Sequence, residues 1–157
     1  MSWSNNCYKL PCITDYAAAK KRFDDTAQPR ASLWSAFQRP LDGARAHHKR
    51  IQFDPSNQAY ELVLYRTPLV TYYPDGTIAV RPDSRKMSRQ FLCATLPLGL
   101  SVVGHADETM VLAHTPKGQA WYSVAFGALH FEHCGNHLWW LTSPADQRIR
   151  ERMCLKR

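Results

Sequence analysis

The sequence predicts an α+β fold: a single domain with one bent antiparallel β-sheet, an N-terminal helix, a middle helix and a short C-terminal helix. Three observations carry that reading. Residues 60–80, YELVLYRTPLVTYYPDGTIAV, set two tight reversals between β-prone runs. Residues 100–142 hold five short candidate strands separated by turn formers, and the stretches 14–25, 84–95 and 144–154 put apolar residues at helical spacing behind capping residues. With 157 residues and no internal repeat or composition break, the chain reads as one domain over 1–157. That length buries a sizeable core without a metal or a disulfide.

The first element is the helix over 14–25, with Thr14 capping, Asp15 at its positive end, and Tyr16, Ala19, Lys20 and Phe23 along one face. Residues 26–52 carry Pro29, Pro40 and Gly43 among scattered arginines and histidines. This stretch reads as an irregular basic segment, anchored by Leu33, Trp34, Phe37 and Leu41. The sheet is expected over 59–142, starting with a strand at 60–66 that Thr67-Pro68 interrupts, because proline cannot donate to a ladder. In Pro74-Asp75-Gly76, Pro presets φ, Asp suits the second turn position and Gly takes the left-handed third. A three-residue hairpin loop with a bulge between strands 69–73 and 77–81 follows.

Ser84 caps the middle helix, 84–95, whose Met87, Phe91, Leu92 and Thr95 share a face; Pro97 and Gly99 stop it. The later strands are expected at 100–104, 109–114, 120–126, 129–134 and 137–142, the last two joined by a two-residue Gly135-Asn136 turn. Ser143-Pro144-Ala145-Asp146 then opens the C-terminal helix, 144–154. The expected core is Tyr60, Leu62, Leu64, Val70, Tyr72, Ile78 and Val80 from the hairpins, and Phe91 and Leu92 from the middle helix. From the later strands come Val102, Val111, Leu112, Trp121, Val124, Phe126, Phe131, Leu138 and Trp140.

The formal net charge is +7, and it is uneven. Residues 20–50 hold eight Lys and Arg against three Asp, and 148–157 hold five against one Glu. Such a balance leaves a nucleic acid, a membrane surface or an acidic protein open as partners and does not choose among them. No apolar run reaches the ~20 residues of a membrane span and no signal segment opens the chain, so a cytoplasmic protein with no membrane partner is expected. Five scattered cysteines fit reduced thiols better than a disulfide framework.

Two constellations could carry chemistry. Arg39, Arg45, His47, His48, Lys49 and Arg50 could engage phosphates or an acidic partner, with Trp34, Phe37 and Phe53 as stacking surfaces. The packing alternative is that these aromatics anchor the segment while the cations are solvated. In His130–His137, a two-residue turn would set Cys134 opposite His137, with His130, Glu132 and Trp139 on the same face. His130 and Cys134 are then about 13 Å apart, so a metal would be met by Glu132, Cys134 and His137 at most. No second short ligand pair exists, and the expectation is no metal and no cofactor. The phosphate-binding, dinucleotide, nucleophile-elbow and zincin motifs are all missing from the sequence.

Read in order, the helix DYAAAKKRFDDT, then Pro29 and Arg30, Arg39-Pro40-Leu41, Arg45, His47-His48, Ile51, and the hairpin of Leu64, Tyr65, Thr67, Val70, Tyr72, Pro74, Asp75, Gly76 and Ile78 resemble a group of uncharacterised small proteins of tailed bacteriophages and prophages. The resemblance covers about the first two-thirds of the chain. It departs after the hairpin, where Arg81-Pro82-Asp83-Ser84-Arg85-Lys86 stands in place of a Gly-Gly-Trp and threonine-rich stretch. The resemblance implies phage origin and a small α+β architecture, and brings no catalytic residues. The functional expectation is a non-enzymatic accessory protein that binds a host or phage protein or nucleoprotein complex, inhibition of a host defence complex included. The alternatives are a nucleic-acid-binding protein using 20–50, and a zinc protein or Cys/His enzyme around Cys134 and His137.

Overall fold

The computed structural model describes residues 10–30, 33–41, 47–83, 85–105, 108–124 and 127–142. The first helix, α1 (Tyr16–Asp25), starts one residue later than its expected cap. Asp15 is extended and its carboxylate accepts from the Ala18 amide at 2.7 Å. Ala19 is fully buried, and Tyr16 and Phe23 lay their rings against Tyr60 at 5.4 and 5.5 Å. The outer face carries Lys20–Asp24 and Lys21–Asp25 pairs at 2.9 and 2.5 Å. Both pairs are solvent-exposed and screened, so they add little to stability.

Ten strands follow: β1 (Gln38–Pro40), β2 (Lys49–Asp54), β3 (Ala59–Leu64), β4 (Thr67–Tyr72), β5 (Ile78–Val80), β6 (Leu100–His105), β7 (Glu108–Thr115), β8 (Gly118–Ser123), β9 (Leu129–His133) and β10 (Trp139–Leu141), with α2 (Lys86–Thr95) between β5 and β6. They form two antiparallel sheets, one ordered β1-β2-β3-β4-β5-β9-β10 and one ordered β6-β7-β8. This corrects the expected fold class. The described chain is mostly β, with two sheets and two ten-residue helices rather than one bent sheet and three helices. The expected C-terminal helix, 144–154, and its cap lie outside the described residues, as do Ser84 and Phe126.

The reason is topological. After β5 the chain leaves the large sheet through α2, and β6, β7 and β8 pair only with one another. Then β9 returns beside β5, with Ile78 opposite Phe131 and Val80 opposite Leu129. Period-two alternation identifies strands, but it does not say which sheet they join. The small sheet meets the large one through Tyr122, whose ring stands edge-on to Phe131 at 5.7 Å. One apolar cluster runs through both sheets and both helices.

The segment 26–52 is corrected too. It contributes β1 and β2, with Arg39 opposite Ile51 and Ile51 opposite Leu62. Ile51 and Phe53 alternate inward against α1 and β3, a signal that the neighbouring Pro40 and Gly43 obscured in the sequence. Ile51 is fully buried.

The first hairpin matches its sequence. Tyr73 donates its amide to Thr77 O and Gly76 donates to Tyr73 O, both at 3.0 Å, and Gly76 has φ of 92°. Asp75 accepts from the Thr77 amide and hydroxyl at 2.9 and 2.6 Å. Pro68 lies inside β4, where the register slips between Leu62–Val70 and Val63–Pro68. A bulge is where a missing N–H does least harm.

Of the expected core, Tyr60, Leu62, Leu64, Val70, Tyr72, Ile78, Val80, Phe91, Leu92, Val102, Val111 and Phe131 are buried. Leu112, Trp121, Val124, Leu138 and Trp140 are half-buried instead. In the 112–121 and 138–140 stretches the alternation runs one residue out of step with the bulk of the side chains. Leu112 pairs with Trp121 on the face turned from the core, while Ala113, Ala120, Tyr122 and Trp139 point inward. The buried Tyr72 hydroxyl donates to Ile13 O at 2.7 Å and ties the N-terminal segment down; burial raises its pKa well above the usual value. Among the described residues no helix is long and apolar enough to cross a membrane.

Candidate functional site

Between 39 and 50 the described cations fold inward, while Lys20, Lys21 and Arg30 stay exposed. Arg39 donates through Nε to Thr26 O at 3.0 Å and through Nη1 to Ala36 O and Gln38 O at 2.8 Å, and its guanidinium lies 4.4 Å from the centre of the Phe23 ring. Arg50 is only 8% exposed, and its Nη1 donates to Tyr65 O at 2.6 Å and His47 O at 3.1 Å. Burial lowers its pKa. Lys49 is buried, and Arg22, from α1, donates to Leu41 O at 2.5 Å. His47 meets Trp34 edge-on at 4.9 Å and His48 stacks on Tyr65 at 5.3 Å. Arg45 lies outside the described residues. Thus Arg39, His47, His48, Lys49 and Arg50 are brought together, but as parts of the packing.

This arrangement has a local cause. The β3–β4 loop is two residues long, and Tyr65 takes φ of 57°, a conformation that penalises a bulky side chain by about 1–2 kcal/mol. Its amide donates to His48 O at 2.6 Å while its carbonyl accepts from Arg50. Both backbone groups of the strained residue are therefore fixed by the start of β2.

The apolar side chains of the same segment divide. Trp34 is buried and Phe53 packs on Phe23 and Tyr60. Leu33 is 69% exposed and Phe37 is 49% exposed, the latter leaning on Phe53 with ring centres 6.3 Å apart. Of the four expected anchors, Leu33 and Phe37 are thus exposed, and nothing in their type or spacing distinguishes them from the buried Trp34 and Leu41.

The second constellation also rearranges. Asn136 and His137 form the turn, with φ of 50° and 59°, and Leu138 donates its amide to Gly135 O at 2.9 Å. The register is His133 opposite Trp139 and Glu132 opposite Trp140, and Cys134 N donates to Leu138 O. The expected Gly135-Asn136 turn is one residue out, so Cys134 does not face His137. Trp139 leaves the His130–Glu132 face, is buried, and meets His133 at 4.9 Å. A two-residue turn of this hand needs positive φ at both positions, which Asn and His tolerate better than most residues. Gly99 decides between the alternatives: at φ of 95° it approaches His137 so closely that a Cβ there would stand 1.9 Å from the His137 carbonyl oxygen.

Glu132, Cys134 and His137 do not converge, and among the described residues no three His, Cys, Asp or Glu side chains are placed to hold a metal. The Cys12 and Cys134 thiols are biased toward the protonated form. Burial raises the Cys12 pKa, and burial followed by the Glu132 charge raises that of Cys134. Cys12 donates to Leu96 O and Cys93 to Val102 O, both at 3.3 Å. A protonated thiol is a poor nucleophile and a poor ligand.

A cleft of ≈ 200 Å³ lies beside this turn, with Ile78, Pro97 and Trp139 at its floor and Asp15, His133 and His137 among its polar lining. The exposed Leu98 stands at its edge, and its carbonyl accepts from the Trp139 indole at 2.9 Å. No protein-family model, curated protein or solved structure matches this chain.

Proposed function

We propose that this chain is a non-enzymatic accessory protein of a phage or prophage that binds a host or phage macromolecule, and that the macromolecule is a protein, a host defence complex included. One observation carries the choice of a protein: the segment 33–50 turns its described arginines into the fold and turns Leu33 and Phe37 out. Phosphate binding by counterion release needs cations at the surface. Apolar side chains held on a rigid frame suit a packed interface, where a few desolvated anchors supply most of the affinity. The raised pKa values of Cys12 and Cys134 support the non-enzymatic reading, and the phage assignment rests on the order of motifs in residues 14–80.

The test is affinity capture of partners from bacterial host extract, with and without nuclease and at moderate and high salt. Wild-type protein is expected to retain a protein partner through both treatments, and Leu33→Ser with Phe37→Ser is expected to lose it. A partner removed by nuclease would overturn the reading in favour of a nucleic acid.

A further inference from the structure

The face of the large sheet turned away from the core carries one row of cross-strand neighbours, Gln52–Glu61, Glu61–Thr71, Thr71–Ala79 and Ala79–His130. At Ala79 the row drops to a methyl group, and a hollow of ≈ 130 Å³ opens there. Thr71, Tyr73, Arg81 and His130 line it, with Glu61 at one side. Tyr73 stacks on His130 with ring centres 6.1 Å apart, which fixes the imidazole at the edge of the hollow. The Arg81 amide is used by Leu69 O, but among the described residues its guanidinium, like the Thr71 and Tyr73 hydroxyls, has no hydrogen-bond or ion-pair partner. Glu61 is held by Gln52, whose Nε2 donates to Oε1 at 3.0 Å. The nearby Asp75 carboxylate, which lies within electrostatic reach of His130, is occupied by Thr77.

Four side chains able to donate, one of them carrying a full positive charge, line a space the size of a small hydroxy acid or a single sugar ring. Arg22, Arg39, Arg50 and Arg85 all meet carbonyls or a carboxylate, whereas the exposed Arg81 lies at the rim of a hollow that other polar side chains share. We propose that this hollow binds a small hydroxylated oxyanion. The oxyanion is taken by Arg81 and His130 with help from the Tyr73 and Thr71 hydroxyls, and a hydroxyl of the same ligand donates to Glu61. Charge complementarity fixes the anionic group. Glu61 fixes the hydroxyl, because a bare anion would face that carboxylate with no proton to offer it.

The experiment is a titration of the full chain followed by amide chemical shifts, with glucuronate, glucose 6-phosphate and glucose as probes. At least one anionic probe is expected to move Thr71, Ala79 and His130 saturably, and the tighter of the two tells carboxylate from phosphate. Glucose is expected to bind at least about tenfold more weakly, and Arg81→Gln to weaken the anion by about tenfold, as the loss of one charge-assisted contact implies. Glu61→Gln is expected to narrow the advantage of glucuronate over acetate, a carboxylate with no hydroxyl, titrated in parallel. Equal binding of glucose, an Arg81→Gln variant that binds like wild type, or shifts confined to other faces would overturn the proposal.

Discussion

Arg50, at the start of β2, and Arg81, just past the end of β5, belong to the same large sheet but to different kinds of surroundings. Around Arg50 the chain reverses at Tyr65 and leaves the carbonyls of Tyr65 and His47 to be served by its guanidinium. Around Arg81 the β4–β5 ladder is regular, its own amide bonds Leu69 O, and among the described residues its guanidinium meets no carbonyl. What the contrast teaches is that charge density along a sequence does not locate a binding surface. A planar fork of five donors is drawn first to unserved carbonyls, and only what remains is available to a ligand.

The comparison breaks most readily at Arg50. Arg50→Met should lower stability by about 3 kcal/mol in urea denaturation, because it leaves two carbonyls without a donor beside a strained Tyr65; a loss under about 1 kcal/mol would remove the structural role assigned here. Arg39→Met should lose roughly 1–2 kcal/mol, since its carbonyls lie nearer water and the contact with Phe23 contributes a part. By contrast, Arg81→Met, and Leu33→Ser combined with Phe37→Ser, should stay within about 0.5 kcal/mol of wild type, as exposed substitutions usually do. Were the second of these to unfold the protein, Leu33 and Phe37 would be packing residues and not anchors for a partner.

The smallest effect expected is a pH dependence at the β4–β5 turn. Hydrogen bonds from Thr77 hold the Asp75 carboxyl below its usual pKa. A depressed value means the folded state binds that proton less tightly than the unfolded chain, so this stabilisation is present above the ordinary carboxylate range. It is lost as pH falls from about 4 through the lowered value. Thr77→Val should flatten that part of the stability–pH curve, and an unchanged curve would deny the shift.

The two hairpins show how much was legible in the sequence. In Pro74-Asp75-Gly76 every residue demands its own turn position, and the loop forms as read. In Cys134-Gly135-Asn136-His137-Leu138 two adjacent two-residue turns are nearly equivalent locally. The choice is made at a distance, by Gly99 against the His137 carbonyl and by the burial of Trp139. A slip of one residue then exchanges every face, which is why the proposed Cys134–His137 pairing dissolved and Trp140 gave way to Trp139. Sheet membership was illegible for a similar reason, since β9 finds β5 across nearly fifty residues of chain. In the candidate site, the aromatic anchoring of 33–53 was readable from Trp34 and Phe53, whereas the exposure of Leu33 and the inward course of Arg39 and Arg50 depend on carbonyls that only the fold creates.

The most direct measurement is arginine side-chain NMR with exchange rates for the guanidinium protons. If the 39–50 stretch is architectural and the surface at the end of β5 is open, the Arg39 and Arg50 protons should be dispersed and slow to exchange while those of Arg81 exchange as fast as in a free arginine. Fast exchange at Arg39 and Arg50, or protection at Arg81, would contradict the account.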